Sequence, residues 1–81
     1  MRVRVHFYSY FKDLAGVTEV FECVSPGSTI EMLLGAIFVR FPKIAAMRKS
    51  ILTAVGVDYQ GIGYVLQEGD EVSLLPPVQG G

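Results

Sequence analysis

The sequence predicts a small α+β domain in which one amphipathic helix lies across a mixed sheet, in the order β-β-α-β-β. Three observations carry this expectation. Residues 2–8 alternate apolar and polar side chains with period two, the pattern of a strand with one wet face. Ile30, Leu33, Leu34, Ile37, Phe38 and Phe41 recur at helical spacing and form one continuous apolar stripe. A single helix cannot bury such a stripe by itself, so a sheet must cover it. At 81 residues the chain is one domain, and 51% hydrophobic residues, with five Phe and four Tyr, supply a core.

Taken in order, Val3, Val5 and Phe7 of the first strand point inward, and Arg2, Arg4, His6 and Tyr8 point outward. Tyr10 to Gly16 reads as a connection with room for a helical turn. Residues 17–24 are rich in strand formers, but their alternation does not reveal an inward face. Ser25-Pro26-Gly27 ends that strand. Ser28, with Glu31 three residues later, matches a capping box and sets the helix start. Pro42 disfavours helical geometry at Phe41 and stops the helix there. Gly35 inside the helix suggests close packing against a strand, since it otherwise costs about 1 kcal/mol relative to Ala. Residues 43–50 read as a connection carrying Lys43, Arg48 and Lys49. Ile51 to Val57 reads as a strand, Asp58 to Gly61 as a turn, Glu68-Gly69-Asp70 as a second turn, and Glu71 to Leu75 as the last strand.

Several function classes are disfavoured. Net charge is −1 and the basic residues are scattered, so nothing suggests nucleic acid. The apolar run from Met32 to Val39 is far short of the ~20 residues a membrane span needs. Cys23 stands alone, which suits a reducing, cytoplasmic setting, and a free cysteine in mid-strand is expected to be buried. His6 has no ligand spacing around it, so no metal site is expected. Gly61-x-Gly63 lacks the third glycine of a dinucleotide fingerprint, and no P-loop occurs. Glu68, Asp70 and Glu71 sit in turn context and read as solvated charges rather than a general acid/base pair.

The ending carries the chemistry. The chain divides into a domain over 1–75 and a tail over 76–81, Pro76-Pro77-Val78-Gln79-Gly80-Gly81. Pro76 and Pro77 lack backbone N–H groups and stop the sheet ladder. Gly80 and Gly81 have no side chains, so the backbone fits a slot that other residues would block. If extended, the tail reaches roughly 20 Å, enough to enter another protein's active site.

The run from Glu68 to Gly81, with its G-D-E-V and P-P-V-x-G-G strings in register, resembles the C-terminus of molybdopterin synthase small subunits in the MoaD/ThiS family of sulfur carriers. The resemblance extends to Val3-Arg4-Val5-His6-Phe7-Tyr8, Leu14-Ala15-Gly16, Ser28-Thr29 and Leu52-Thr53-Ala54-Val55. Gly56 departs from the Asn that family members often carry after the Ala-Val pair, and 43–50 has no clear counterpart. The resemblance implies a ubiquitin-like β-grasp fold.

It also implies a mechanism. A separate MoeB-like adenylating enzyme uses ATP to convert the Gly81 carboxylate to an acyl-adenylate, and a sulfurtransferase supplies sulfur to make a thiocarboxylate. The tail then enters a MoaE-like large subunit and delivers sulfur for molybdopterin. The chain supplies the reacting atom and the partners supply the catalytic side chains; no cofactor is expected to be bound. Gly81 carries the acyl group, Gly80 keeps the stalk narrow, and Pro76 and Pro77 aim it. Leu75 is expected to face outward and to dock a partner. The same tail suits thiamine thiazole synthesis, cysteine synthesis, tRNA thiolation or a ubiquitin-like protein modifier, and a plain β-grasp interaction module with an inert tail is the further alternative.

Overall fold

Arg2–Phe7 (β1) is an inner strand of the sheet, with Val3, Val5 and Phe7 buried on one side. The computed structural model describes residues 1–77. After β1 come Tyr10–Ala15 (α1), Glu19–Cys23 (β2), Ile30–Arg40 (α2), Pro42–Ala45 (α3), a 3₁₀ turn at Arg48–Ser50, Leu52–Val55 (β3), Asp58–Tyr59 (β4) and Glu71–Leu75 (β5). Among the described residues the sheet runs β2-β1-β5-β3-β4. β1 and β5 pair in parallel, and the other neighbours are antiparallel. A parallel pair needs a long crossover, and everything from α1 to β4 lies within it. This mixed sheet grasping one main helix is the ubiquitin-like β-grasp arrangement.

The core lies between one sheet face and the helices. Val3, Val5, Phe7, Val20, Val72 and Leu74 come from the sheet. Ile30, Leu33, Leu34 and Ile37 come from α2, whereas Phe38 and Phe41 are only partly buried. Burying the first four contributes about 6–12 kcal/mol before entropy is subtracted. Phe7 packs edge-on to Phe41 at 5.2 Å between ring centroids. Phe11 of α1, Ile44 of α3 and Leu66 complete the interior.

Several local expectations are corrected. The N-cap of α2 is Thr29, whose Oγ1 accepts from the Met32 N–H at 3.4 Å, and not Ser28. Ser28 is buried; its N–H donates to Ser25 and its carbonyl accepts from Leu66, so loop pairing claims it. The next helical N–H groups, of Ile30 and Glu31, donate to the carbonyls of Tyr64 and Ile62. The loop around Gly61-Ile62-Gly63-Tyr64 therefore satisfies the helix start. Gly35 is exposed and has nothing within 4 Å of where a Cβ would stand, so no close packing requires it.

Cys23 is exposed, because register with β1 places it opposite Arg2 on the outer face while Val20 takes the core side. Pro42 ends α2 and also opens α3, since its fixed φ suits a first helical position. Asp58–Tyr59 is a short strand rather than a turn: Val55 pairs with Asp58 across a two-residue hairpin. Gly56 takes φ 60 at the first turn position, which favours glycine.

Candidate functional site

β5 ends at Leu75, which pairs with Leu52, the first residue of β3. Pro76 and Pro77 follow outside any strand and are half-buried. Without an N–H they cannot extend the ladder, so the tail departs from this end of the sheet. Gly80 and Gly81 lie outside the described residues, as do Val78 and Gln79.

Strand register sorts the side chains around this exit. Val72 and Leu74 are fully buried, so Ser73 and Leu75 lie on the opposite, helix-free face, as the alternation predicts. Leu75 is half-buried there rather than an isolated exposed leucine. It lines a shallow depression of about 280 Å³ with Tyr8, Ala54, Gly56, Val57, Tyr59 and Ser73. Leu52 and Tyr59 continue into a second, of about 430 Å³, with Ile51, Gln60 and Ile62. Val57 is 98% exposed and Tyr59 65%. Together these residues form an apolar field contiguous with the base of the tail, the kind of surface that marks a partner site.

The other half of the same face is charged and closed on itself. Arg4 Nη1 donates to Glu71 Oε1 at 2.9 Å, and its Nε lies 3.4 Å from Glu19 Oε2. His6 sits between the same two carboxylates, 3.6 Å from Glu19 and 3.5 Å from Glu71. The guanidiniums of Arg2 and Arg4 stand 4.0 and 5.1 Å from the Phe21 ring centroid. The acids read as solvated charges have structural partners. Glu68 accepts from the Arg2 N–H, and Asp70 accepts from the Gln67 N–H and the Tyr64 hydroxyl. Burial, with the adjacent Asp70 carboxylate adding to it, pushes the Tyr64 phenol above its ordinary pKa.

Sequence reasoning placed Leu75, Pro76 and Pro77 at this exit, but it missed Tyr8, Val57 and Tyr59. Their signal was the Val55-Gly56-Val57-Asp58 hairpin, which returns Tyr59 to the face that Leu75 occupies. Ser9 was also missed. Its φ of 56 is uncommon for a residue with a Cβ, and it adjoins Tyr8 at the edge of the apolar field.

A small β-grasp domain with an apolar field at the root of a Pro-Pro tail defines a class of tail-presenting carrier-like domains. The ThiS family model matches residues 5–81, and the chain belongs to the ThiS family. It is 33% identical over 85 residues to a molybdopterin synthase sulfur carrier subunit from Homo sapiens, covering 99% of this chain and 94% of that protein. Its fold is similar to that of SAMP1 from Haloferax volcanii, with a TM-score of 0.89 at 21% identity and full coverage of both chains. It is also similar to a chain in the complex of subunits 1 and 2 of the molybdopterin-converting factor from Helicobacter pylori. There the TM-score is 0.70 at 24% identity, again with both chains covered in full. No described helix is long and apolar enough to cross a membrane.

Proposed function

We propose that the chain is the sulfur-carrier small subunit of a molybdopterin synthase and that Gly81 is its reacting residue. The observation that carries this reading is the position of the tail root. β5 stops at Leu75, and Pro76-Pro77 leaves beside an apolar field that is open among the described residues, in a chain similar over 99% of its length to the human sulfur carrier subunit.

A carboxylate is a poor acyl donor because its leaving group would be oxide or hydroxide. In the proposed sequence a Gly81 carboxylate oxygen attacks the α-phosphate of ATP on the adenylating enzyme and releases pyrophosphate. Sulfide from a sulfurtransferase then attacks the acyl carbon and displaces AMP, leaving a thiocarboxylate. Its sulfur is more nucleophilic than carboxylate oxygen, and it transfers to the pyranopterin precursor inside the large subunit. Gly80 keeps the stalk narrow. Pro76 and Pro77 limit the entropy lost when the tail inserts. Leu75, Tyr8 and Tyr59 supply apolar contact with the partner.

Intact mass after incubation with ATP, the adenylating enzyme and a sulfur source tests this. Replacement of one oxygen by one sulfur at the C-terminus supports the carrier. Attachment to lysines of other proteins overturns it in favour of a modifier, and no change with a competent enzyme favours an inert module. A residue added after Gly81 is expected to abolish sulfur transfer and leave thermal stability unchanged.

A further inference from the structure

From Met32 to Val57 the chain carries four cations, Arg40, Lys43, Arg48 and Lys49, and no carboxylate. From Asp58 onward it carries Asp58, Glu68, Asp70 and Glu71 and no Lys or Arg. Net charge conceals this separation, and the fold converts it into a spatial one. Arg40 is engaged by Glu22 at 3.1 Å and by the Phe21 carbonyl. Lys43, Arg48 and Lys49 are exposed, and none of them joins an ion pair among the described residues.

Their position is specific. The 3₁₀ turn Arg48–Ser50 precedes β3 by one residue, and Leu52 of β3 opposes Leu75. Arg48 and Lys49 lie four and three residues before Leu52, at the same end of the sheet as Leu75. The basic turn therefore stands at the end of the sheet from which the tail leaves. Pro42, Ala45, Ala46, Met47 and Ser50 join Arg48 and Lys49 around a depression of about 400 Å³, and Lys43 follows Pro42 in α3.

We propose that Lys43, Arg48 and Lys49 form an electrostatic steering surface for the adenylating enzyme, recognising Asp and Glu side chains around the slot that admits the tail. This rests on the sulfur-carrier reading. An acidic rim would repel the free Gly81 carboxylate, and cations beside the tail root offset that repulsion. A carrier that must leave one enzyme and reach another needs rapid encounter more than long residence, and complementary charge supplies it. A nucleic acid fits poorly, because one cation on α3 and two on the following turn, in a chain with net charge −1, make no phosphate-tracking stripe.

The test is stopped-flow association of the full chain with the adenylating enzyme from the same genome. Salt is set at about 0.02 M and about 1 M, where the Debye length falls to about 3 Å. The variant combining Lys43→Glu, Arg48→Glu and Lys49→Glu should associate at least about tenfold more slowly at low salt. The rates should converge at high salt, with dissociation changed less than about twofold. Replacing the same three residues by Gln should give an intermediate rate and guards against misfolding of the reversed variant. Arg2→Glu, at the far end of β1, should change the rate less than about twofold. Equal rates for wild type and both triple variants at low salt overturn the proposal, as does equal slowing per charge by Arg2→Glu. Retention of wild type but not the variant on single-stranded RNA overturns it in favour of nucleic acid. A wild type that binds the enzyme at neither salt sinks the carrier reading itself, and this proposal with it.

Discussion

The helix-free face of the sheet is built in two halves that solve the same problem differently. On the β2-β1 side, Arg4 reaches Glu19 and Glu71, His6 lies between them, and Phe21 sits against two guanidiniums. That half supplies its own partners. On the β5-β3-β4 side, with Tyr8 at the end of β1, the half-buried Leu75 and Leu52 and the exposed Tyr8, Tyr59 and Val57 line open depressions among the described residues. Desolvation on binding would cost the first half its water without new pairing, while the second half gains from every apolar area removed from water. The tail leaves beside the second half. On the proposed carrier reading, apolar contact surface and the root of the tail are therefore placed together.

The largest effect expected from this contrast is at Leu75. Leu75→Asp should weaken binding to the adenylating enzyme by about thirtyfold, near the roughly 2 kcal/mol of an interface hot spot. Stability should change by less than about 1 kcal/mol, since Leu75 is half-buried and outside the main core. Calorimetry of the complex and thermal melts of the free chain read the two separately. Unchanged affinity would mean that the apolar half is not the docking face.

The fold was legible where pattern is long enough to have a period. β1 and α2 could be read from alternation and from the Ile30-to-Ile37 stripe, because each buries one face against a single neighbour. The misreadings fall where distant residues decide. Ser28 with Glu31 is the better capping box on paper, yet Leu66 takes the Ser28 carbonyl and Thr29 bridges to Val65, so the helix starts one residue later. Cys23 follows the phase that β1 imposes on an edge strand, which its own flanking residues do not encode. Ile44 is fully buried in a four-residue helix, too short to display a period. At the candidate site, Leu75, Pro76 and Pro77 were readable from strand phase and proline chemistry. Tyr8 and Tyr59 were not, because only the β1–β5 and β3–β4 pairings bring them to the same field.

A smaller effect sharpens the contrast from the charged side. Arg4→Ala should cost about 1 kcal/mol of stability, since it loses two partly exposed ion pairs and its packing on Phe21. Arg4→Met keeps much of that packing and should cost less. Salt should shrink the difference between Met and wild type. Neither variant should alter affinity for the enzyme by more than about twofold, because Arg4 pairs with Glu19 and Glu71 of its own chain. Denaturant melts at two salt concentrations, beside the binding titration, measure all three quantities.

The smallest effect comes from the far side of the molecule and fixes the zero of the comparison. Gly35 lies in α2, whose buried stripe faces the sheet side opposite to both halves. Its backbone is ordinary helix, it is exposed, and an added Cβ meets nothing within 4 Å. Gly35→Ala should therefore recover about 0.5–1 kcal/mol of helix propensity, seen as a rise in Tm of a few degrees, roughly 2–8 °C for a domain of this size. Affinity should not move, because stiffening α2 changes neither the apolar field nor the tail root. If Gly35→Ala instead impaired binding while raising Tm, a partner must approach the exposed side of α2. The division of labour between the two halves would then describe only part of the interface.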